Sequence, residues 1–231
     1  FNFFINEIEP NVAPFINDFN LKLVNSPFID QLNKEKYFIY LRGIKKQIDI
    51  FREENIALNT KLQAEAQKYG AISASMSIEY DGKELTLQQA SNYLKNTDRK
   101  VREEVFHLMN EVRFKSEDEL NVLYTDLIKL RNQVAKNAGF ANYRDYMFAE
   151  LGRFDYEAKD CFNFHEAIEK EVVPVTNSFD EEKKKLLGLE RLKPWDTSVD
   201  PTGKPALKPF DGGEELINKT DFELMDFESA K

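Results

Sequence analysis

The side chains whose types and spacing come closest to a reactive arrangement are in the run His165-Glu166-Ala167-Ile168-Glu169. Residues four apart share one face of a helix, so His165 and Glu169 would offer two ligands to one metal ion while Glu166 activated its water. The helix pattern that does this in zinc hydrolases is H-E-x-x-H, and here Glu169 stands in the place of the second histidine. The only other histidine, His107, lies in a different segment beside Phe106. Both histidines therefore read as surface or half-buried side chains of charged helices. Cys161 precedes His165 by four residues, the spacing of a thiolate–imidazole pair or a small metal site, yet Glu157, Asp160 and Glu166 all disfavour a thiolate there. A packed thiol is the simpler reading.

Other chemistry is thinner still. The chain has no G-x-S-x-G, no phosphate-binding G-x-x-x-x-G-K-[ST] and no dinucleotide fingerprint. Lys183-Lys184-Lys185 follows Glu181-Glu182, which on a helix makes an ordinary solvated face. The paired acids Glu53-Glu54, Glu103-Glu104 and Glu214-Glu215 are adjacent, so they do not face one another on a helix. The expectation is that this chain holds no catalytic and no metal-ligating residue, and its substrate-binding residues are not identifiable.

The elements that would position any site are mainly helical. Phe1, Phe4, Ile5, Ile8, Val12, Phe15, Ile16, Phe19 and Leu23 follow three-and-four spacing from the first residue, with Pro10 and Pro14 marking a fresh start near Glu9. Residues 35–69 read as helix broken near 50–53, with Gly70 as a C-cap. The period then changes to two on either side of Asp81-Gly82, which predicts a β-hairpin near 74–87 around a type I′ turn. Helices are expected at 88–95, at 98–115 with a stripe of Val101, Val105, Leu108 and Val112, and from a Ser116/Glu119 capping box to Gly139. The last of these presents Leu123, Tyr124, Leu127, Val134 and Ala138 on one face. Asn142 caps a short aromatic helix, and 156–187 reads as one long helix kinked at Pro174 and ended by Gly188. Residues 193–213 shift to Pro, Gly, Lys and Asp, an extended stretch, and 213–220 attempts one more helix.

Composition narrows the function classes. With 231 residues and 42% hydrophobic content the chain can bury a substantial core, and no run approaches the roughly 20 apolar residues of a membrane span. A formal net charge of -9 has the wrong sign for a binder of nucleic-acid backbones. The single cysteine fits a reducing compartment, so the cytoplasm is the expected location, with neither membrane nor nucleic acid as partner.

Several ordered blocks carry a resemblance. They are Ser75-Met76-Ser77-Ile78, Asp81-Gly82-Lys83-Glu84-Leu85-Thr86-Leu87-Gln88-Gln89, Thr97-Asp98-Arg99-Lys100-Val101-Arg102, Ala135-Lys136-Asn137-Ala138-Gly139-Phe140, Arg153-Phe154-Asp155-Tyr156 and Leu192-Lys193-Pro194-Trp195-Asp196. Through them, from about residue 1 to 220, the chain resembles oligoendopeptidase F in the thimet-oligopeptidase family of zinc metallopeptidases. The resemblance implies a mainly α, multi-helix array with one small hairpin, part of a larger helical peptidase that hydrolyses short peptides in an enclosed channel. It also implies one zinc ion held by an H-E-x-x-H helix beyond Lys231, further helices ahead of Phe1, and a helix-length stretch between Thr220 and Asp221 that this sequence omits. No family catalytic residue maps onto a position here, so the chain alone is expected to be inactive. The expected organisation is 1–70 as an N-terminal helical part, 71–87 as the hairpin, 88–192 as a helical part of the peptidase lobe, and 193–231 as a Pro/Gly-rich extended segment leading toward the catalytic part. The competing reading is a freestanding acidic helical scaffold or interaction module without enzymatic activity. Oligomeric state is not legible.

Overall fold

Pro10 has no N–H with which to close an α-turn, and the first helical boundary follows from it. In the computed structural model, which describes residues 1–204 and 207–229, a π-turn at Phe4–Ile8 leads into α1 (Glu9–Val24) with Pro10 in its first turn. Asn33 then opens α2 (Lys34–Ile50) by accepting the Lys36 N–H at 2.8 Å. The expected break falls at residues 51–53, and α3 (Glu54–Ala74) follows. Gly70 does not end that helix, contrary to expectation: it sits inside α3, where a glycine costs about 1 kcal/mol relative to alanine but need not stop the helix.

Strands β1 (Ser77–Tyr80) and β2 (Lys83–Thr86) form the hairpin. Asp81 at φ 53° and Gly82 at φ 69° supply the two positive angles of the turn between them. Helix α4 (Leu87–Ala90) starts at a capping box in which Thr86 Oγ1 accepts the Gln89 N–H and Gln89 Oε1 accepts the Thr86 N–H. The helix expected over 88–95 tightens after Ala90 into a 3₁₀ turn, Ser91–Lys95.

Next come α5 (Arg99–Lys115), α6 (Glu117–Asn137), α7 (Tyr143–Glu150), α8 (Ala158–Ala167), α9 (Val173–Leu186) and α10 (Gly212–Ser229). The Ser116/Glu119 capping box does not form. Only Ser116 separates α5 from α6, and its backbone (φ -97°, ψ 5°) is not in the extended conformation that aims a capping hydroxyl. The expected long helix over 156–187 is divided by a π-turn at Ile168–Val172, just ahead of Pro174, where the proline removes a ladder donor. Helix α10 contains and extends past the helix expected at 213–220, and the Thr220/Asp221 junction lies within it. Of the segment 193–231, Pro205, Ala206, Ala230 and Lys231 lie outside the described residues.

Internal packing divides the chain into two units, Phe1–Ile78 with Asn110–Thr176, and Glu79–Met109 with Asn177–Lys231. The first is built on α3 against α6 and on α7 against α2 and α6, around Ile50, Val134, Ala135, Ala138 and Tyr146. Helix ends leave carbonyls unsatisfied, and here the α2–α3 junction supplies donors to the end of α6. Arg52 Nε donates to the Asn137 carbonyl at 3.1 Å, and buried Asn55 donates Nδ2 to the Val134 carbonyl at 3.0 Å while accepting from Asn137 Nδ2 at 2.8 Å. Gly139, at φ 86°, completes a Schellman end: its N–H reaches the Lys136 carbonyl and the Phe140 N–H reaches that of Ala135. In the same unit Arg42 grips Asp155 with both terminal nitrogens, at 2.8 and 3.0 Å, and lies 4.5 Å over the Phe154 ring. That contact holds the link between α7 and α8.

The second unit centres on a buried ion cluster. The buried face of α5 is Arg102, Val105 and Met109, not the stripe of four aliphatics, because Arg102 has an acid to meet. Arg102, 1% exposed, donates Nη2 to Asp196 at 2.9 Å, Nε to the Trp195 carbonyl at 3.0 Å, and Nη1 to the carbonyls of Asn96 and Thr97. Arg99 adds a bidentate grip on the same carboxylate, and the Lys193 N–H donates to it at 2.9 Å. Burial raises the Asp196 carboxyl, but these hydrogen bonds and charges outweigh it and bring it down to about 2. Trp195 packs alongside against Phe106 and His107.

Two outcomes follow for stability. Replacing Asn55 with alanine strands buried partners on α6, so urea unfolding followed by far-UV circular dichroism should show a loss of about 1–3 kcal/mol. For Asp196, a folded value below the ordinary 3.8 means that its contribution is present above pH 4 and is lost as pH falls from 4 toward 2. Emission of Trp195, the one tryptophan in the sequence, should therefore redden over that range. In Asp196→Asn, which leaves a buried guanidinium without its counter-charge at a cost of about 3–5 kcal/mol, unfolding should be easier at pH 7 and the difference from wild type should shrink at pH 2.

Candidate functional site

The residues singled out by spacing do not come together. His165 and Glu166 are on α8 and Glu169 falls in the π-turn after it, all three exposed. Glu166 pairs with Lys170 at 3.8 Å, and the His165 ring meets that of Phe162, at 6.4 Å between centroids. Cys161 is half-buried. His107, on α5, lies against Trp195. In the lysine run, Lys184 pairs with Glu181. Among the described residues no three His, Cys, Asp or Glu side chains converge on a position that a metal ion would take. The described residues thus do not form a seat for the zinc ion that the resemblance implies.

What the first unit does build is a cavity of about 700 Å³ between α1, the α2–α3 junction and α7. One wall is the aliphatic stripe of Ile8, at the end of the π-turn, with Val12 and Ile16 of α1, four residues apart and so on one face. Helix α1 is attached at its two ends and open between them. Thr60 Oγ1 donates to the Ile5 carbonyl at 3.3 Å and Gln63 Nε2 to Glu9 at 2.6 Å, while Asn20 Nδ2 reaches Gln47 at 3.4 Å. No residue of α1 is buried.

The facing wall mixes Ile50 and Ile56 with the carboxamides of Asn55, Asn59 and Gln63, and Tyr146 and Glu150 close one side. Tyr146 donates its hydroxyl to Glu150 at 3.1 Å. Burial first, then the Glu150 charge, pushes this phenol well above its ordinary value of 10, so it stays a hydrogen-bond donor at neutral pH. Arg52 is spent on the Asn137, Asp49 and Phe51 carbonyls. The arrangement has apolar area for contact and neutral donors and acceptors for orientation, which is the chemistry of a binding surface and not of bond breaking. Spacing along the sequence showed the α1 stripe but gave no sign of this cavity: Asn55, Asn59 and Gln63 share a face of α3 at four-residue spacing, yet nothing local in the sequence sets α1 opposite them.

A second recess, of about 500 Å³, lies beside the link between α7 and α8, lined by Lys46, Arg144, Arg153 and Lys159 with Phe148 and Tyr156. Arg144 is paired with Asp145, and Arg153 stacks on Phe148 at 5.3 Å. The first turn of α8 is occupied by its own acids in a Glu157/Asp160 capping box.

Comparison with known proteins connects this architecture to others. The sequence model described as Peptidase family M3 matches residues 92–217, more than half of the chain and a span that holds Arg99, Arg102 and Asp196. No curated protein sequence matches. Among solved structures, a chain from Bacillus anthracis str. Ames assigned as an oligoendopeptidase F superposes with a TM-score of 0.84 at 25% identity, covering 94% of this chain and 40% of its own length. A second structure assigned as an oligoendopeptidase F gives 0.82 at 28% identity, and Pz peptidase A with an inhibitor gives 0.82 at 29%. Each covers 88% of this chain and 36% of the relative. The chain thus spans well under half the length of the solved relatives it matches. With the family pattern covering most of the region from α4 to α10 and the surrounding helices superposing on oligoendopeptidase folds, the chain belongs to peptidase family M3.

Proposed function

We propose that this chain forms helical wall of the peptide channel in a zinc-dependent oligopeptidase, and that short peptides are its substrates. The observation that carries the reading is the superposition of 94% of the chain on two-fifths of an oligoendopeptidase F structure, in a chain that belongs to a peptidase family. On this reading the zinc ion and its ligands come from polypeptide that the relatives have and this chain does not span. The part played by these residues is enclosure. Walls of rigid helices admit a short unfolded peptide and exclude a folded protein, and excluding water strengthens electrostatic interactions around the metal. The charge of -9 argues against nucleic acid as a partner, and the single cysteine favours the cytoplasm. Among the described residues no helix is long and apolar enough to cross a membrane.

One observation favours the scaffold reading: Phe15 and Phe19 of α1 and Phe162 and Phe164 of α8 are more than half exposed, a feature of surfaces that meet other proteins. Activity separates the two. The 231-residue chain with added zinc should leave a quenched fluorescent peptide intact, while the longest natural protein containing it should cleave that peptide and stop when a chelator is added. Zinc-dependent turnover by the 231-residue chain, or none by the longer protein, would sink the assignment.

A further inference from the structure

We propose that the cavity between α1 and the α2–α3 junction seats a short extended stretch of peptide free of acidic side chains. The inference rests on the reading that this protein handles peptides, and it names where and how one is held. The volume, about 700 Å³, lies within the range of about 300–1,000 Å³ seen for small-ligand pockets, room for a few residues of extended chain. Ile8, Val12 and Ile16 line one side and remain 38%, 42% and 53% exposed, so apolar surface is held open where a guest's side chains would cover it.

The opposite side selects the polarity of the guest. A peptide bond carries one donor and one acceptor, and a carboxamide offers both kinds, two N–H donors and a carbonyl acceptor, so Asn59 can pair with a backbone in either direction along the wall. Charge sets the remaining limit. Glu9 and Glu150 flank the space, and the one cation on its lining among the described residues, Arg52, already donates to three backbone carbonyls. An acidic guest meets two carboxylates and no available counter-charge, so the seat discriminates against aspartate and glutamate.

The test is direct binding, read by methyl and amide NMR on the 231-residue chain titrated with a blocked pentapeptide of alanine, leucine and glycine. Saturable shifts confined to the methyls of Ile8, Val12, Ile16 and Ile56 are expected. The same peptide carrying two aspartates should bind at least tenfold more weakly. Val12→Lys and Asn59→Asp, both at exposed positions, should each weaken the neutral peptide about tenfold with unchanged thermal melting. Three results would overturn the seat: no shifts at millimolar peptide, equal binding of the acidic peptide, or shifts of these methyls with protein concentration alone, which would mean that a second copy fills the cavity. Binding without hydrolysis by any longer form would sink the oligopeptidase reading and leave the seat standing; hydrolysis by the longer form without binding here would do the reverse.

Discussion

A carboxylate taken wholly out of water must find its counter-charges inside the protein, and Asp196 finds two. Arg99 and Arg102 are 97 and 94 residues away in sequence, and both converge on its oxygens. Removing such a charge from water costs several kcal/mol, and only a complete set of hydrogen bonds recovers it. That requirement determines much of the second unit. It fixes which face of α5 turns inward, it holds the Lys193 turn by its N–H, and it sets Trp195 against Phe106 and His107. The start of a stretch rich in proline and glycine, Lys193 to Asp196, thereby acquires a fixed place. The family match spans all three charged residues, so it covers a segment whose geometry is imposed by buried electrostatics.

The first unit is organised by a neutral version of the same demand. The end of α6 leaves carbonyls that need donors, and Arg52 and Asn55 arrive from the α2–α3 junction to supply them. Because those side chains are committed there, α3 is held close to α6 on one side, while the side-chain hydrogen bonds of α1, at Glu9 and Asn20, lie toward its ends. The cavity is the space left by that unequal attachment. A rigid back and a lightly held front suit a protein that must admit a flexible guest.

Local chemistry was legible wherever a decision is made within a few residues. Asp81-Gly82 announced its turn because few residue types tolerate positive φ at two successive positions, and the helix break expected near 50–53 falls at 51–53. Asn142 capped α7 as expected, accepting the Asp145 N–H at 3.0 Å. Ser116 failed because a capping box needs a residue free to turn its backbone, and one residue between two helices has no such freedom. Arg102 could not be foreseen as core, since an arginine in a charged helix reads as solvated until its partner nearly a hundred residues away is known. The π-turn before Pro174 was seen only as a kink, for proline says that a donor is missing but not how the ladder repairs itself. Of the site, the aliphatic stripe of α1 was visible and the carboxamide wall was not.

The π-turn at Phe4–Ile8 has a bearing on length. It contains Ile5, which is anchored at 1% exposure, and ends at Ile8, the first of the three aliphatic residues on the cavity, so its length sets the angular phase of the helix after it. One residue of helix corresponds to about 100° of rotation. Dropping a residue from this turn would bring Glu9, Ala13 and Asn17 to the positions of Ile8, Val12 and Ile16, and adding one would bring Glu7, Asn11 and Phe15. Either change would exchange an aliphatic lining for a largely polar or aromatic one without altering a single amino acid downstream. The lining of the cavity thus depends on the number of residues in this turn as much as on which residues follow it.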